Sequence, residues 1–566
     1  MGIPLYFRYL INNYDNIISK KEHFKKTNNL YLDLNCAIHY CCREILKDET
    51  YTKQKKNSLE NKMILNVIKY IELLVDYSEP QNLLYIAIDG PAPKAKMVQQ
   101  RQRRFKKFYE MNEITKIKEK HNIFEKKEEV WDSNAITPGT LFMQKLSDIL
   151  KKNLESNEKF KHLNIIISDS NIPGEGEHKL LKHLKENKSS ENEINVIYGL
   201  DADLIMLCIS SKLNNILLLR ETVEFNNAIH VNGYKFLYLQ IDILKQNLIS
   251  EIMIRMDKKY LNSEEKIKIL DDYIFFSFLL GNDFIPHTPS LSIKHEGIDL
   301  ILDIYTRHYD ESKTNLVCAE SKKINHDFLK NIFRDLGLME DTLLETFTKR
   351  RNKKKKPNKI YDTECERELD LFNLYPQFNR DKEIYINQGS SNWRERYYDS
   401  LFYVKSQYEI DKICHKYIEG IFWNFHYYNS ECIAWDWNFP YALPPSFNDI
   451  YNYMNKFVSN INHIDLPKSK PFKPYEQLLM VLPQQSKDLL PPSYQNLMID
   501  PMSDIIEYYP IAYKIETTNK YYLWECQPIL PYIISNKIKD VTKNLKLNKE
   551  EKERNKLGKE YKIIRK

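Results

Sequence analysis

Short apolar runs alternate with longer amphipathic stretches through the first 300 or so residues. Residues 30–34, 83–88, 164–168 and 194–198 are runs of five or six positions dominated by Leu, Ile, Val, Tyr and Ala. Their length and β-branched or aromatic content predict strands, and the stretches between them carry helical spacing. Strand–helix alternation of this kind predicts an α/β fold around a largely parallel sheet. Residues 273–280 form a longer apolar run, Tyr-Ile-Phe-Phe-Ser-Phe-Leu-Leu, which reads as a buried helix.

The pattern weakens between 312 and 392, where residues 349–357 read Lys-Arg-Arg-Asn-Lys-Lys-Lys-Lys-Pro. A solvated linker or insertion fits such a basic run, with a nuclear-import signal as the competing reading. From residue 393 the chain turns aromatic and proline-rich, with Trp423, Tyr427, Tyr428, Trp435, Trp437, Phe439 and Tyr441 close together. The expected organisation is an α/β unit over 1–311, a Lys-rich linker or insertion over 312–392, a mainly helical aromatic-rich region over 393–540, and a charged tail over 541–566.

Composition changes this picture little. The 566 residues are 42% hydrophobic, enough for a sizeable core, and 84 basic against 78 acidic residues give a formal charge of +6. That balance is too mild to announce a nucleic-acid partner, so local clustering decides. The nine cysteines include no CxxC pair and no Cys/His run with zinc spacing, so no structural zinc is expected. No apolar stretch is long enough to span a bilayer, and an intracellular, soluble protein is expected.

The chemistry lies at the ends of the expected strands. Asp33 closes the first run, and Asp89-Gly90 follows the second. The third leads through Pro173-Gly174 to Glu175-Gly176-Glu177-His178. The fourth leads to Asp201-Ala202-Asp203, and Gly281-Asn282-Asp283 follows the apolar helix. Functional crevices in open α/β sheets lie at the carboxyl ends of the strands, where these acids would converge. Seven clustered carboxylates repel unless cations neutralise them, and hard oxygen ligands suit Mg²⁺ or Mn²⁺. Two such ions, held by Asp33, Asp89, Glu175, Glu177, Asp201, Asp203 and Asp283, suit phosphodiester hydrolysis. Taken singly, each acid also fits a helix cap or turn, although small Gly176 and Ala202 between the doublets leave room for backbone to approach ions.

After Asp89 the segment from Pro93 to Lys107 is rich in helix formers and cations. Lys96, Gln100, Arg103 and Arg104 stand at i, i+4, i+7 and i+8, one helical face. Three cations and an amide there can grip a phosphate beside the acids, and a terminal phosphate so held would make an exonuclease. A solvated basic face is the competing reading.

These segments resemble the Xrn family of 5′→3′ exoribonucleases. The resemblance rests on Met1-Gly2-Ile3-Pro4, Leu32-Asp33-Leu34-Asn35 with His39, Asp89-Gly90 through Lys94-Ala95-Lys96-Met97 to Arg103-Arg104-Phe105, and residues 133–140. It continues through Pro173-Gly174-Glu175-Gly176-Glu177-His178-Lys179, Asp201-Ala202-Asp203, Gly281-Asn282-Asp283, Trp435-Asp436-Trp437 and Phe472-Lys473-Pro474-Tyr475. It covers the chain apart from the Lys-rich middle. It implies a PIN/flap-nuclease-like core, metal ligation by the seven acids, and a 5′-phosphate pocket of Lys96, Gln100, Arg103 and Arg104. It also implies base stacking by His39 against a tryptophan, Trp435 or Trp437. The substrate implied is single-stranded RNA with a 5′-monophosphate, the ends being supplied by a decapping or endonuclease partner. Cys36 and Cys208 stand where the family usually carries Gly. The C-terminal extension and zinc knuckle of longer members are missing, so a minimal catalytic core is expected. A structure-specific DNA endonuclease of the same superfamily and an inactive RNA-binding scaffold are the alternatives.

Overall fold

The computed structural model describes residues 5–20, 27–124, 129–187, 192–221, 235–353 and 359–565. Residues 1–4 of the N-terminal motif and 354–358 of the basic run lie outside them. Eight strands form the central sheet: β1 (Ile18–Ser19), β2 (Thr27–Asp33), β3 (Pro80–Ala87), β4 (Asn164–Ser168), β5 (Asn195–Tyr198), β6 (Ile216–Glu221), β7 (Phe236–Gln240) and β8 (Tyr561–Ile563). Their order is β1-β7-β6-β5-β2-β3-β4-β8. The five central strands β6, β5, β2, β3 and β4 run parallel, flanked by antiparallel β7 and β8. The four expected strands form the middle of this sheet, two residues or fewer from their expected limits at most ends.

Alternate residues of these strands serve two separate cores, as the two-residue period of a strand requires. Leu30, Leu32, Leu84, Ile86, Ile165 and Ile167 face one layer, with helices α1 (Asn35–Asp48) and Lys56–Ser78. Tyr31, Tyr85, Ile166 and Ile197 face the other. That layer holds α3 (Gly176–Glu186), α4 (Ala202–Ser210), α5 (Ser263–Ser277), α6 (His326–Asn352) and α7 (Gln407–Asn429), while Met97 of α2 (Lys94–Lys120) packs with α8 (Pro474–Val481) in a third core. Burial on both faces explains why the strands read as continuous apolar runs. The run 273–280 is a buried helix as expected, ending in a 3₁₀ turn at Phe278–Leu280.

Two readings need correction. The expected linker carries α6, whose Phe328, Leu329, Ile332, Phe333, Leu336, Leu344 and Phe347 are buried at helical spacing. Arg351 of the basic run is buried in an ion pair with Glu383 at 2.7 Å. The apolar stripe of α6, not the charge at its end, decides its place. The expected charged tail ends in β8, which pairs with β4 and covers that sheet edge. All nine cysteines are free thiols. No helix of the described residues is long and apolar enough to cross a membrane.

Candidate active site

Four adjacent parallel strands, β5-β2-β3-β4, deliver acids to one edge of the sheet. Asp33 is the last residue of β2, and Asp89 lies just past β3. Glu175 and Asp201 occupy the N-cap positions of α3 and α4, yet neither side chain caps its helix. Glu177 and Asp203 fall in the first turns of those helices. Asp283 comes from the loop after α5, where Gly281 takes φ 86° and the Asn282 side chain accepts the Phe284 and Ile285 N–H groups at 3.0 Å. Capping of their own helices therefore does not account for Glu175 and Asp201.

Gly176 shows how closely the chain approaches here. Its N–H donates to Asp89 Oδ1 at 2.7 Å, and a methyl group on it would lie 2.6 Å from Asp33 Oδ1 and 3.5 Å from Asp89 Oδ1. Asn35 accepts the Asp89 N–H at 3.1 Å and fixes the strand end. Below, the Lys179 ammonium donates to the Ile88 and Asp169 carbonyls at 2.7 and 2.9 Å, and burial lowers its pKa to about 7.

The acids are crowded: Asp33, Glu175, Glu177 and Asp203 are buried, and Asp89, Asp201 and Asp283 are half-buried. Burial raises the Asp33 carboxyl, with Asp89 and Asp201 adding to it. Burial raises Glu177, with Glu175 and Asp203 adding, and burial with Asp283 pushes Asp203 up to about 7. Among the described residues, the Lys96 ammonium pairs with two of them. Lys96 Nζ lies 2.6 Å from Glu175 Oε2 and 2.9 Å from Asp283 Oδ2. Burial opposes its charge, but Asp283 and Glu175 outweigh burial and hold it well above the ordinary lysine range. The expectation that Lys96 grips phosphate meets a side chain already paired with carboxylates.

Asp33 Oδ1, Glu177 Oε2 and Asp203 Oδ1 are buried without a hydrogen-bond partner. Unpaired buried carboxylate oxygens are costly, and hard divalent cations are the ligands that satisfy them. The donor set therefore fits Mg²⁺ or Mn²⁺. Glu175, Glu177 and His178 place ligand atoms within 4.8 Å of one another. Burial, with Lys96 nearby, lowers the His178 pKa to about 3, so its imidazole is neutral.

Along α2, one to two turns past Lys96, the charge changes sign. Gln100 is buried and accepts from Gln477 Nε2 of α8 at 3.4 Å. Arg103 is exposed. Arg104 donates Nη2 to Thr137 Oγ1 at 2.8 Å, while its Nη1 is buried and unpartnered. Burial, then the adjacent Arg103, lowers the Arg104 pKa to about 9. Among the described residues no carboxylate pairs with either arginine. His39, half-buried on α1, faces the same cations, and burial together with Arg103 and Arg104 lowers its pKa to about 4.

The two expected stacking tryptophans separate. Trp437 is buried, its ring stacked on Trp423 at 5.2 Å and its Nε1 bonded to Glu419 at 3.1 Å. That ring is spent on the core, which corrects its place among the substrate-binding candidates. Trp435 is half-buried, and its carbonyl accepts the Lys94 N–H at 2.8 Å where α2 begins.

The family described as XRN 5′–3′ exonuclease N-terminus matches residues 1–222, and that described as Xrn1 helical domain matches 264–378 and 375–566. The chain belongs to the XRN 5′–3′ exonuclease family. This Xrn-family chain is 27% identical to 5′–3′ exoribonuclease 1 of Schizosaccharomyces pombe, over 98% of the chain and 49% of the relative. It is 29% identical to the 5′–3′ exoribonuclease 2 homolog of Drosophila melanogaster, over 100% of the chain and 73% of the relative. It is 30% identical to 5′–3′ exoribonuclease 1 of Homo sapiens, over 98% and 35%. The chain thus spans about half the fission-yeast relative and about a third of the human one. The helical-domain match runs through the segment expected to be a linker, in agreement with packed α6.

Sequence reasoning missed two parts of this Xrn-family site. Tyr427 of α7 donates its hydroxyl to Glu175 Oε1 at 2.7 Å. The His178 ring lies tilted against that of Tyr427, with centroids 3.9 Å apart. His178 stood inside the acidic motif, so its signal was present. For Tyr427 no local pattern exists, because its partner lies 252 residues away.

Proposed function

We propose that this chain is a processive 5′→3′ exoribonuclease that hydrolyses 5′-monophosphorylated single-stranded RNA to nucleoside monophosphates with two divalent ions. The observation that carries the reading is an acidic pocket with unpaired buried oxygens beside two arginines that form no ion pair with a carboxylate among the described residues. The two pockets have complementary needs, one for cations and one for an anion.

Asp33, Asp89, Glu175, Glu177, Asp201, Asp203 and Asp283 would hold Mg²⁺ or Mn²⁺. When bound, such ions activate water and stabilise the leaving oxygen of an in-line displacement. Arg104 and Arg103, with Gln100, hold the terminal phosphate through charge-assisted hydrogen bonds. Because α2 also carries Lys96 into the acidic pocket, eight residues of rigid helix, about 12 Å along its axis, set the spacing between end and reaction centre. Neutral His39 and half-buried Trp435 offer base-stacking faces that accept any base, which suits processive movement.

Labelled RNAs with 5′-phosphate, 5′-hydroxyl and capped ends test the reading in Mg²⁺. Only the 5′-phosphate RNA should be consumed, from its end, to mononucleotides. Equal cleavage of all three, or cleavage of circular RNA or flapped DNA at a junction, overturns it. Asp201→Ala should abolish cleavage and keep RNA binding; retained cleavage removes Asp201 from the metal site.

A further inference from the structure

Both carboxylate oxygens of Glu175 are engaged by side chains from other elements. Lys96 takes Oε2 at 2.6 Å and the Tyr427 hydroxyl takes Oε1 at 2.7 Å. The lysine contact is a charge pairing that another cation can replace. The tyrosine contact is a neutral hydrogen bond that an arriving cation has no cause to displace. Tyr427 is also held against rotation. Its ring lies between His178, at 3.9 Å and 32°, and Trp423, at 4.7 Å and 22°. Trp437 extends the column behind Trp423 at 5.2 Å, and Phe284 meets the Tyr427 ring edge-on at 5.5 Å and 89°. The column is pinned at its far end, where Trp423 Nε1 donates to the Ala434 carbonyl at 3.0 Å and Trp437 Nε1 to Glu419 at 3.1 Å. A column of four rings, three stacked and the His178 ring tilted against Tyr427, thus runs from the helical region to the first turn of α3.

We infer that Tyr427 is a positioning residue for Glu175: its clamped hydroxyl fixes the carboxylate orientation, and through it the helical region completes the cation site of the sheet. A partner outside the ligand set that orients a metal-binding carboxylate typically changes metal affinity or activity by about 10- to 100-fold. The inference rests on the reading of Glu175 as part of a divalent-cation site.

Calorimetric titration of Mn²⁺ into the full chain without RNA is the direct test. Tyr427→Phe keeps the ring and removes the hydroxyl, so the Mn²⁺ Kd should rise about tenfold. The thermal midpoint, and the affinity for 5′-phosphorylated RNA in EDTA, should match the parent. In a Glu175→Gln background the same change should alter the Mn²⁺ Kd no further, the signature of two residues acting through one contact. An unchanged Mn²⁺ Kd in Tyr427→Phe overturns the inference and leaves the cation site standing. A joint fall in Mn²⁺ affinity, metal-free RNA affinity and thermal midpoint also overturns it, because the hydroxyl would then serve the fold. Absence of Mn²⁺ binding by the parent chain instead overturns the cation site itself.

Discussion

The acidic and cationic pockets are each incomplete in charge, but they are built in opposite ways. Five separate segments send carboxylates to the acidic pocket, and the sheet brings them together. The cationic pocket is one face of α2, with His39 and Thr137 added from nearby elements. In the first, like charges are forced close and partly relieved by Lys96. In the second, a guanidinium is buried with one donor unpaired. Strain of the first kind is a whole-fold property, whereas strain of the second is local to one helix. Both are costs that a ligand of opposite charge would offset.

Four experiments separate the two. The largest effect is expected for Glu177→Gln, which removes a buried negative charge from the crowd. Cleavage should fall below detection, while the thermal midpoint in EDTA should rise; a lower midpoint would mean that the carboxylates are not in conflict. Next, Arg104→Ala should weaken 5′-phosphate RNA by about 1.5–3 kcal/mol, the worth of a hydrogen bond to a charged group. Binding of 5′-hydroxyl RNA should hold steady. A uniform loss on both RNAs would dissolve the distinction between the pockets.

Third, Trp435→Ala should cost about 1–3 kcal/mol of single-strand affinity with little change in folding, as loss of one base stack does. Trp437→Ala should show the reverse, with roughly 3–5 kcal/mol lost from stability on chemical denaturation. Swapped results would exchange their roles. The smallest effect concerns His39, lowered to about 4 by burial and the arginines. A histidine whose folded pKa lies below its unfolded value binds fewer protons when folded, so stability falls as pH drops from about 6.5 toward 4. His39→Phe should flatten that part of the stability profile, and a phosphate analogue, by masking the arginines, should shrink it in the parent. An unchanged slope in the variant removes His39 from the cationic pocket.

The sequence was most legible where local pattern and tertiary demand agree. Strands β2 to β5 are buried on both faces, so their apolar runs stand out, and the acids follow them at the edge the topology favours. Lys96, Gln100, Arg103 and Arg104 could be placed together on one helix because helical spacing is itself a local rule. Helix α6 carried a clear apolar stripe that the basic run beside it obscured. Strand β8 has three residues in Lys-rich sequence, too few to show a period. Which oxygen Lys96 pairs with, which tryptophan stays accessible, and what Tyr427 touches are set by packing between distant segments, and nothing in their neighbourhoods encodes them.

The sheet's outer strand has a consequence for synthesis. Arg565, just past β8, donates its N–H to Asn164 at the start of β4, 401 residues upstream, and Tyr427 reaches Glu175 across 252. Chains emerge from the ribosome N-terminus first. A half-made chain therefore carries most of the carboxylates but lacks the ring that steadies Glu175 and the strand that seals the β4 edge. Translation order therefore delivers the carboxylates before the tyrosine hydroxyl that meets Glu175 and before the strand that covers β4.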